Sequence, residues 1–135
     1  MKHHIIDEDI SIVTDVLKGD FLTQGPYVKN VEESMSQLTD KKYGVMCSNG
    51  TAALHLVAEM LNQEYNGDKK NIITTPLTFV ADANFGRYIN AEIRFADIDI
   101  NSQNLSPKSI EKKINKKTKA IILVHLSGYQ CEMDK

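Results

Sequence analysis

The amino-acid sequence predicts an α/β protein with three layers (α/β/α), in which helices cover both faces of a mainly parallel sheet. Strand-like segments alternate along the chain with segments that have helical spacing of apolar residues, and this alternation is typical of parallel sheets. The run Lys119 to Leu126 (KAIILVHL) is almost continuously apolar, as expected for a strand that is covered on both faces. A length of 135 residues suffices for one domain with a substantial core.

Two helices are predicted before the first strand. Asp7 is a candidate N-cap of the first helix, and Gly19 is its predicted end. Gly25-Pro26 opens the second helix, because proline suits the first helical position. The apolar residues of the two helices recur at helical spacing: Ile10, Val13, Val16 and Leu17, then Val28, Val31, Met35 and Leu38.

The middle of the chain predicts a strand, a helix and a second strand. Tyr43 to Cys47 is a short apolar segment with strand character, and Thr51 to about Gln63 has a broad apolar helical face. Asn66-Gly67-Asp68 predicts a turn. The β-branched segment Asn71 to Thr75 (NIITT) is the second predicted strand, and Pro76 ends it.

The second half continues the alternation. Phe79 to Tyr88 is predicted to be helical, and Glu92 to Ile98 (EIRFADI) alternates like a strand. Ser106-Pro107 predicts a helix start, with a capping residue followed by a first-turn proline. The apolar run that begins at Lys119 is the last predicted strand.

The loops that follow the strands are the expected location of a ligand site, because ligands of such folds bind beyond the carboxyl ends of the strands. These loops are Ser48 to Gly50, Pro76 to Thr78, Asp97 to Asp99 and Ser127 to Gln130. All of them are expected on one rim of the sheet.

The segment Ser48-Asn49-Gly50-Thr51 predicts a site for an anion, because it joins a strand to the start of a helix. Helix starts present unpaired N–H groups and about half a positive charge. Gly50 has no Cβ to keep an anion away from the backbone, and the Thr51 hydroxyl is a further donor. The alternative is that Ser48 and Asn49 only cap the helix. No GxGxxG or GxxxxGK[ST] motif is present, so dinucleotide and Walker-type sites are poorly supported.

Phe79 follows the next predicted strand by one short loop. An aromatic ring at that position could stack on a flat ligand whose phosphate is held at the neighbouring loop. The alternative is a phenylalanine of the hydrophobic core. The sequence pattern leaves both roles open.

Five segments together resemble the N-terminal part of the DegT/DnrJ/EryC1/StrS aminotransferases, which depend on pyridoxal 5′-phosphate and aminate keto sugars carried on nucleotides. The segments are LKGDFLTQGPYVKNVEESM, CSNGTAALHL, IITTPLTFVADAN, IRFADIDINSQNLSPKSIEKKI and TKAIILVHLSGYQCEMD. They occur in family order and cover nearly all of the chain.

The resemblance implies a fold-type I large domain like that of aspartate aminotransferase. Residues 1–135 would be the N-terminal portion of this cofactor-binding domain, and the small C-terminal domain would be absent. The backbone around Gly50, Thr51 and Ala52 would hold the cofactor phosphate, and Phe79 would stack on the pyridine ring. The resemblance also implies a homodimer.

The implied reaction transfers nitrogen from an amino acid, usually glutamate, to a nucleotide-linked keto sugar, in polysaccharide or lipopolysaccharide biosynthesis. In the family, the catalytic lysine and the carboxylate that contacts the pyridine nitrogen follow the segment that resembles VHLSGYQCEMDK. This chain ends at Lys135, so we expect it to be truncated before that lysine and inactive alone, and no catalytic residue is assigned. A sugar dehydratase of the same family and a non-catalytic protein with this fold remain alternatives.

Other candidate residues have weaker support. His55 lies within a predicted helix and is expected to pack there, whereas His125 ends the last predicted strand and is a candidate contact to cofactor or substrate. The basic cluster Lys112 to Lys119 lacks interleaved aromatic residues, which favours a solvated helix end over nucleic-acid binding. No metal site is predicted, because the adjacent residues His3 and His4 would need a third ligand.

Composition narrows the class of protein further. Hydrophobic residues make up 41% and charged residues 25% of the chain, and the net charge is −2. These values are ordinary for globular proteins and predict attraction neither to nucleic acid nor to a membrane surface. The N-terminus lacks a secretory h-region, and Cys47 and Cys131 do not form a disulfide framework, so the expected compartment is the cytoplasm.

Overall fold

The structure, a computed structural model, describes residues 3–67 and 69–135. The chain divides between Cys47 and Ser48 into two compact units. Within the described residues, no helix has both the length and the apolar character needed to cross a membrane.

The first unit contains helix α1 (Asp7–Lys18) and helix α2 (Pro26–Leu38). The predicted end at Gly19 and the predicted start at Pro26 are confirmed. The predicted capping role of Asp7 is wrong, because Asp7 is the first helical residue and Ile6 occupies the N-cap position. The Asp9 carboxylate accepts a hydrogen bond from the Ile6 N–H at 3.1 Å, so an acidic side chain still stabilises this helix start.

Residues 43–47 do not form the predicted strand. The Met46 N–H instead donates to the Glu32 carboxylate of α2 at 2.8 Å. A strand forms only where a second strand completes its ladder of hydrogen bonds, and no described strand pairs with this segment. Apolar composition alone therefore overestimated its tendency to be a strand.

The second unit alternates helices and strands as the sequence predicts. Its elements are α3 (Gly50–Glu64), β1 (Asn71–Thr74), α4 (Ala81–Tyr88), β2 (Glu92–Phe95), α5 (Pro107–Glu111), β3 (Thr118–Ile121) and a 3₁₀ turn (Leu126–Gly128). Helix α4 begins two residues after the predicted start at Phe79. In the predicted turn before β1, Gly67 has a φ of +80°, and Asp68 lies outside the described residues.

The sheet has the order β2-β1-β3, and β1 is parallel to both of its neighbours. Ile72 of β1 faces Ile93 of β2 and Ala120 of β3 in register. The predicted parallel pairing is therefore confirmed. The carboxyl ends of the strands lie at one edge of the sheet.

The two faces of β1 bury different apolar clusters. Ile72 packs with Ala58 of α3 and Phe85 of α4, whereas Ile73 packs with Leu105 and with Ile110 of α5. Ile72 and Ile73 are both fully buried, as expected where alternate side chains of one strand point to opposite faces. Helices on both faces make the three layers that the sequence predicts.

Two of the strands are shorter than predicted. Strand β2 ends at Phe95 rather than Ile98, which forms an isolated antiparallel bridge with Leu105. Strand β3 ends at Ile121, although the Ile122 N–H still donates to the Ile73 carbonyl at 2.8 Å. The prediction that both faces of this run are covered is also wrong for Ile121, which is 38% exposed. In the described sheet β3 is an edge strand, so only one side of its backbone is paired.

Candidate functional site

A groove of about 730 Å³ lies beyond the carboxyl ends of β1 and β3. Four segments line it: the start of α3, the loop after β1, the start of α4 and the stretch after β3. The polar and aromatic groups at the groove come from Gly50, through its backbone, and from the side chains of Thr51, Thr78, Phe79, Asp82 and His125. Parallel pairing brings these segments together, because each of them follows or adjoins a carboxyl end at the same edge.

The four predicted rim loops do not all reach this groove. Those at Ser48 to Gly50 and Pro76 to Thr78 contribute Gly50 and Thr78 to it. The two others contribute Asp99, Tyr129 and Gln130 to a separate cavity of about 470 Å³. The expectation of one rim agrees with the parallel strands, whose carboxyl ends lie at one edge, but only two of the four loops line the groove.

Asn49 caps helix α3. Its Oδ1 accepts the Ala52 N–H at 2.9 Å, and its Nδ2 donates to the Ser48 hydroxyl at 3.2 Å. The capping role weighed in the sequence analysis is therefore real for Asn49. It also occupies the Ala52 amide, so this N–H is not open to an anion while the cap is in place.

The two amides that precede Ala52 in the same turn remain open. Within the described part of the chain, the N–H groups of Gly50 and Thr51 make no hydrogen bond. Gly50 is exposed, and a Cβ built on it would meet nothing within 4 Å. A turn with free amides, open space and the positive end of a 15-residue helix suits an anion such as a phosphate ester.

Phe79 lies on the same groove, in the loop that leads to α4. Its side chain is 71% exposed. The alternative that Phe79 belongs to the hydrophobic core is therefore wrong. A ring in this position is available to a flat ligand whose anionic group lies at the turn of Gly50 and Thr51.

Asp82 is a site residue that the sequence analysis missed. Its side chain is only 7% exposed, lines the groove, and accepts a hydrogen bond from the Thr78 hydroxyl. The spacing Thr-x-x-x-Asp before and inside a predicted helix was the available signal, since residues four apart face each other across one turn.

His125 also lines the groove, as its predicted position at the functional rim suggested. Its Nδ1 accepts the Cys131 N–H at 3.1 Å. In the neutral ring the proton is therefore on Nε2. His55, in contrast, packs against Tyr88 with ring centroids 4.4 Å apart and does not line the groove.

The separate cavity of about 470 Å³ is lined in part by polar residues of the loop after β2. The Asp99 carboxylate accepts the N–H groups of Asn101 at 3.0 Å and Ser102 at 3.1 Å. The bond from Ser102, followed by that from Asn101, lowers the pKa of Asp99 from its usual value. Buried Asn104 donates to the Tyr129 carbonyl at 2.8 Å and accepts the Leu126 N–H at 3.0 Å, and so fastens the 3₁₀ turn.

The described residues contain no group of three histidine, cysteine or acidic side chains that could hold a metal ion. The basic cluster is exposed at Lys112, Lys113, Lys116 and Lys117, and Lys119 is half-buried with its ammonium 4.2 Å from the centre of the Tyr65 ring.

Comparison with known proteins gives a consistent picture. The family described as "DegT/DnrJ/EryC1/StrS aminotransferase family" matches residues 3–135. GDP-perosamine synthase of Escherichia coli O157:H7 is 36% identical over 113 residues, which cover 84% of this chain and 30% of that protein.

Two solved structures are closely similar. Helicobacter pylori PseC, an aminotransferase involved in the biosynthesis of pseudoaminic acid, has a TM-score of 0.87 and 33% identity, with 97% of this chain and 35% of that chain covered. A GDP-4-keto-6-deoxymannose-3-dehydratase with a trapped PLP-glutamate geminal diamine has a TM-score of 0.90 and 26% identity, with 98% and 35% covered. The chain spans about a third of the length of the curated relatives that it matches.

Proposed function

The chain belongs to the DegT/DnrJ/EryC1/StrS aminotransferase family, and on this basis we propose that its second unit binds pyridoxal 5′-phosphate in the groove beyond β1 and β3. The observation that carries the proposal is that an open helix start, at Gly50 and Thr51, and an exposed aromatic ring, Phe79, line the same groove. Solved structures to which the chain is similar, in PMP and PLP forms, support it.

The phosphate would lie at the turn that begins α3. The Gly50 and Thr51 amides and the Thr51 hydroxyl would donate to it, and the helix dipole would favour its charge. Ala52 would lie beside the phosphate, with its own amide kept on the Asn49 side chain. Gly50 allows the closest approach, because nothing of the chain occupies the space where its Cβ would be.

The ring of Phe79 would stack on the pyridine ring of the cofactor. Aromatic pairs of this kind contribute about 0.5–1.5 kcal/mol beyond the burial of their area. Phe79 is exposed in this structure, so cofactor binding would bury an apolar surface that is otherwise in contact with water. The phosphate would thus provide anchoring, and the ring would provide orientation.

Bound pyridoxal phosphate supplies an electron sink for the transfer of an amino group. The residues of this chain would anchor its phosphate and orient its ring toward a nucleotide-linked keto sugar, with glutamate as the amino donor. We further propose that the chain corresponds to the N-terminal portion of the cofactor-binding large domain, and that the protein acts as a homodimer in the cytoplasm.

A sugar dehydratase of the same family is the second candidate, because the solved GDP-4-keto-6-deoxymannose-3-dehydratase is highly similar in structure to this chain. The aminotransferase is preferred because GDP-perosamine synthase and PseC share more identity with the chain than the dehydratase does. The proposed cofactor groove would serve either reaction.

Ligand-dependent stabilisation of the 135-residue chain tests the cofactor proposal. Pyridoxal phosphate should raise the unfolding temperature, and at a hundred times its Kd it should add about 2.7 kcal/mol to the free energy of unfolding. Inorganic phosphate should also stabilise the chain, whereas pyridoxal without phosphate should have little effect. Phe79→Ala, the matched variant, should weaken the response to pyridoxal phosphate but not the response to inorganic phosphate. An equal response to pyridoxal and pyridoxal phosphate would exclude the phosphate site.

A further inference from the structure

We propose that Thr78 and Asp82 form a clamp that positions the Phe79 ring at the groove. The functional meaning of the clamp rests on the proposed cofactor site, whereas its mechanical effect on the ring can be measured without any ligand. In this role both residues act through Phe79 and are positioning residues.

The clamp consists of two hydrogen bonds that close the segment around Phe79. The Thr78 hydroxyl donates to the Asp82 carboxylate, and the Asp82 N–H donates to the Phe79 carbonyl at 3.1 Å. Just before this segment, the Leu77 N–H donates to the Thr75 hydroxyl at 3.1 Å. The backbone on either side of the ring is therefore tied, although the segment lies between a strand and a helix.

Packing does not fix the ring. Phe79 is 71% exposed, whereas Phe85, six residues later on α4, is 2% exposed and lies in the core. A side chain held by packing needs contacts on most of its surface. The orientation of Phe79 must then depend on the backbone that carries it, and the clamp fixes that backbone.

The burial of Asp82 is otherwise difficult to explain. A carboxylate that is 7% exposed loses hydration and requires hydrogen-bond donors in return. The N-cap of α4 is Val80, which makes no side-chain cap. Asp82, in the first turn of α4, benefits from the helix dipole, but the dipole alone does not require a bond to Thr78. The bond to Thr78 links this charge to the loop that carries Phe79.

A ring that is ordered before binding loses less conformational entropy when a ligand stacks on it. The clamp should therefore strengthen the binding of pyridoxal phosphate, which has a ring, and leave the binding of inorganic phosphate unchanged. This difference separates a positioning role from a general contribution to the shape of the groove.

The first test measures the order of residue 79 directly. The chain contains no tryptophan, so Phe79→Trp introduces a single reporter whose time-resolved anisotropy shows local motion. Thr78→Val removes the hydroxyl while keeping the shape of the side chain, and Thr78→Ser is the matched control that keeps the donor. Thr78→Val should increase the amplitude of local motion at residue 79, whereas Thr78→Ser and Asp82→Asn, which retains an acceptor, should stay near the parent. If Thr78→Val does not fold, Thr78→Ala replaces it.

The second test measures ligand binding with Phe79 in place. Thr78→Val should raise the Kd of pyridoxal phosphate about fivefold, the factor expected when one side chain has to be ordered on binding, and change the Kd of inorganic phosphate less than about twofold. An unchanged anisotropy in Thr78→Val would overturn the clamp whatever the ligand result. An equal rise of both Kd values would overturn it in favour of a general structural role. If the parent chain does not bind pyridoxal phosphate, the cofactor proposal fails, and the anisotropy still decides the clamp.

Discussion

Replacing Gly50 by alanine should stabilise the fold and weaken anion binding at the same time. Gly50 is the first residue of α3 and is exposed, and an added Cβ would meet nothing within 4 Å. The substitution lowers the conformational entropy of the unfolded chain and causes no steric clash in the folded chain. It should therefore raise the free energy of unfolding by about 0.5 kcal/mol.

The expected effect on binding has the opposite sign. The new methyl group would occupy the space where a phosphate approaches the Gly50 and Thr51 amides. Losing one charge-assisted hydrogen bond of about 1.5–3 kcal/mol would raise the Kd of pyridoxal phosphate by about tenfold to a hundredfold. Isothermal titration with pyridoxal phosphate and with inorganic phosphate measures this loss, and urea unfolding measures the stability.

Gly67→Ala is the matched control. Gly67 also has open space around its Cβ position, but its φ of +80° is unfavourable for alanine. This variant should lose about 1 kcal/mol of stability and bind phosphate like the parent chain. If Gly50→Ala binds both ligands within about twofold of the parent chain, the phosphate does not lie against this turn.

Two further predictions concern the loop after β2. Asn104→Ala should lower the free energy of unfolding, measured with urea, by about 2 kcal/mol, because two hydrogen bonds to the 3₁₀ turn are lost. The control Asn101→Ala, at an exposed residue, should change this free energy by less than about 0.5 kcal/mol. Equal losses in the two variants would contradict the role of Asn104. Backbone N–H groups hold the pKa of Asp99 below its usual value in the folded chain, so its contribution to stability is present above about pH 4 and is lost as the pH falls through the lowered pKa. Asp99→Asn keeps an acceptor but does not titrate, so this variant should lose less stability than the parent chain when the pH falls from about 5 to about 2. If the urea midpoints of the variant and of the parent chain change in parallel with pH, this assignment is refuted.

The helix boundaries show what the sequence could predict. The starts at Pro26 and Pro107 and the end at Gly19 are confirmed. These signals act through the backbone of a few consecutive residues, so no distant partner is needed. The central strand, Asn71–Thr74, was also predicted to within one residue, because its β-branched residues are bounded by a turn and a proline.

The strand errors share one physical cause. Residues 43–47 were predicted to be a strand and are not, and strands β2 and β3 end before the segments predicted for them. Strand bounds depend on which backbone groups a neighbouring strand supplies. These hydrogen-bonding groups belong to residues far along the chain, and local composition does not show which residues they are.

The sequence by itself determined the alternation of elements and the parallel sheet, because these follow from local composition. It also predicted Gly50, Thr51 and Phe79 as site residues, from the resemblance of short segments, and their role stays a prediction. Only the tertiary structure decided which loops share the groove, that Asn49 occupies the Ala52 amide, and that Phe79 is exposed while Asp82 is buried. Burial and hydrogen bonding between side chains depend on how the elements approach each other in space. Local sequence patterns carry little of that information.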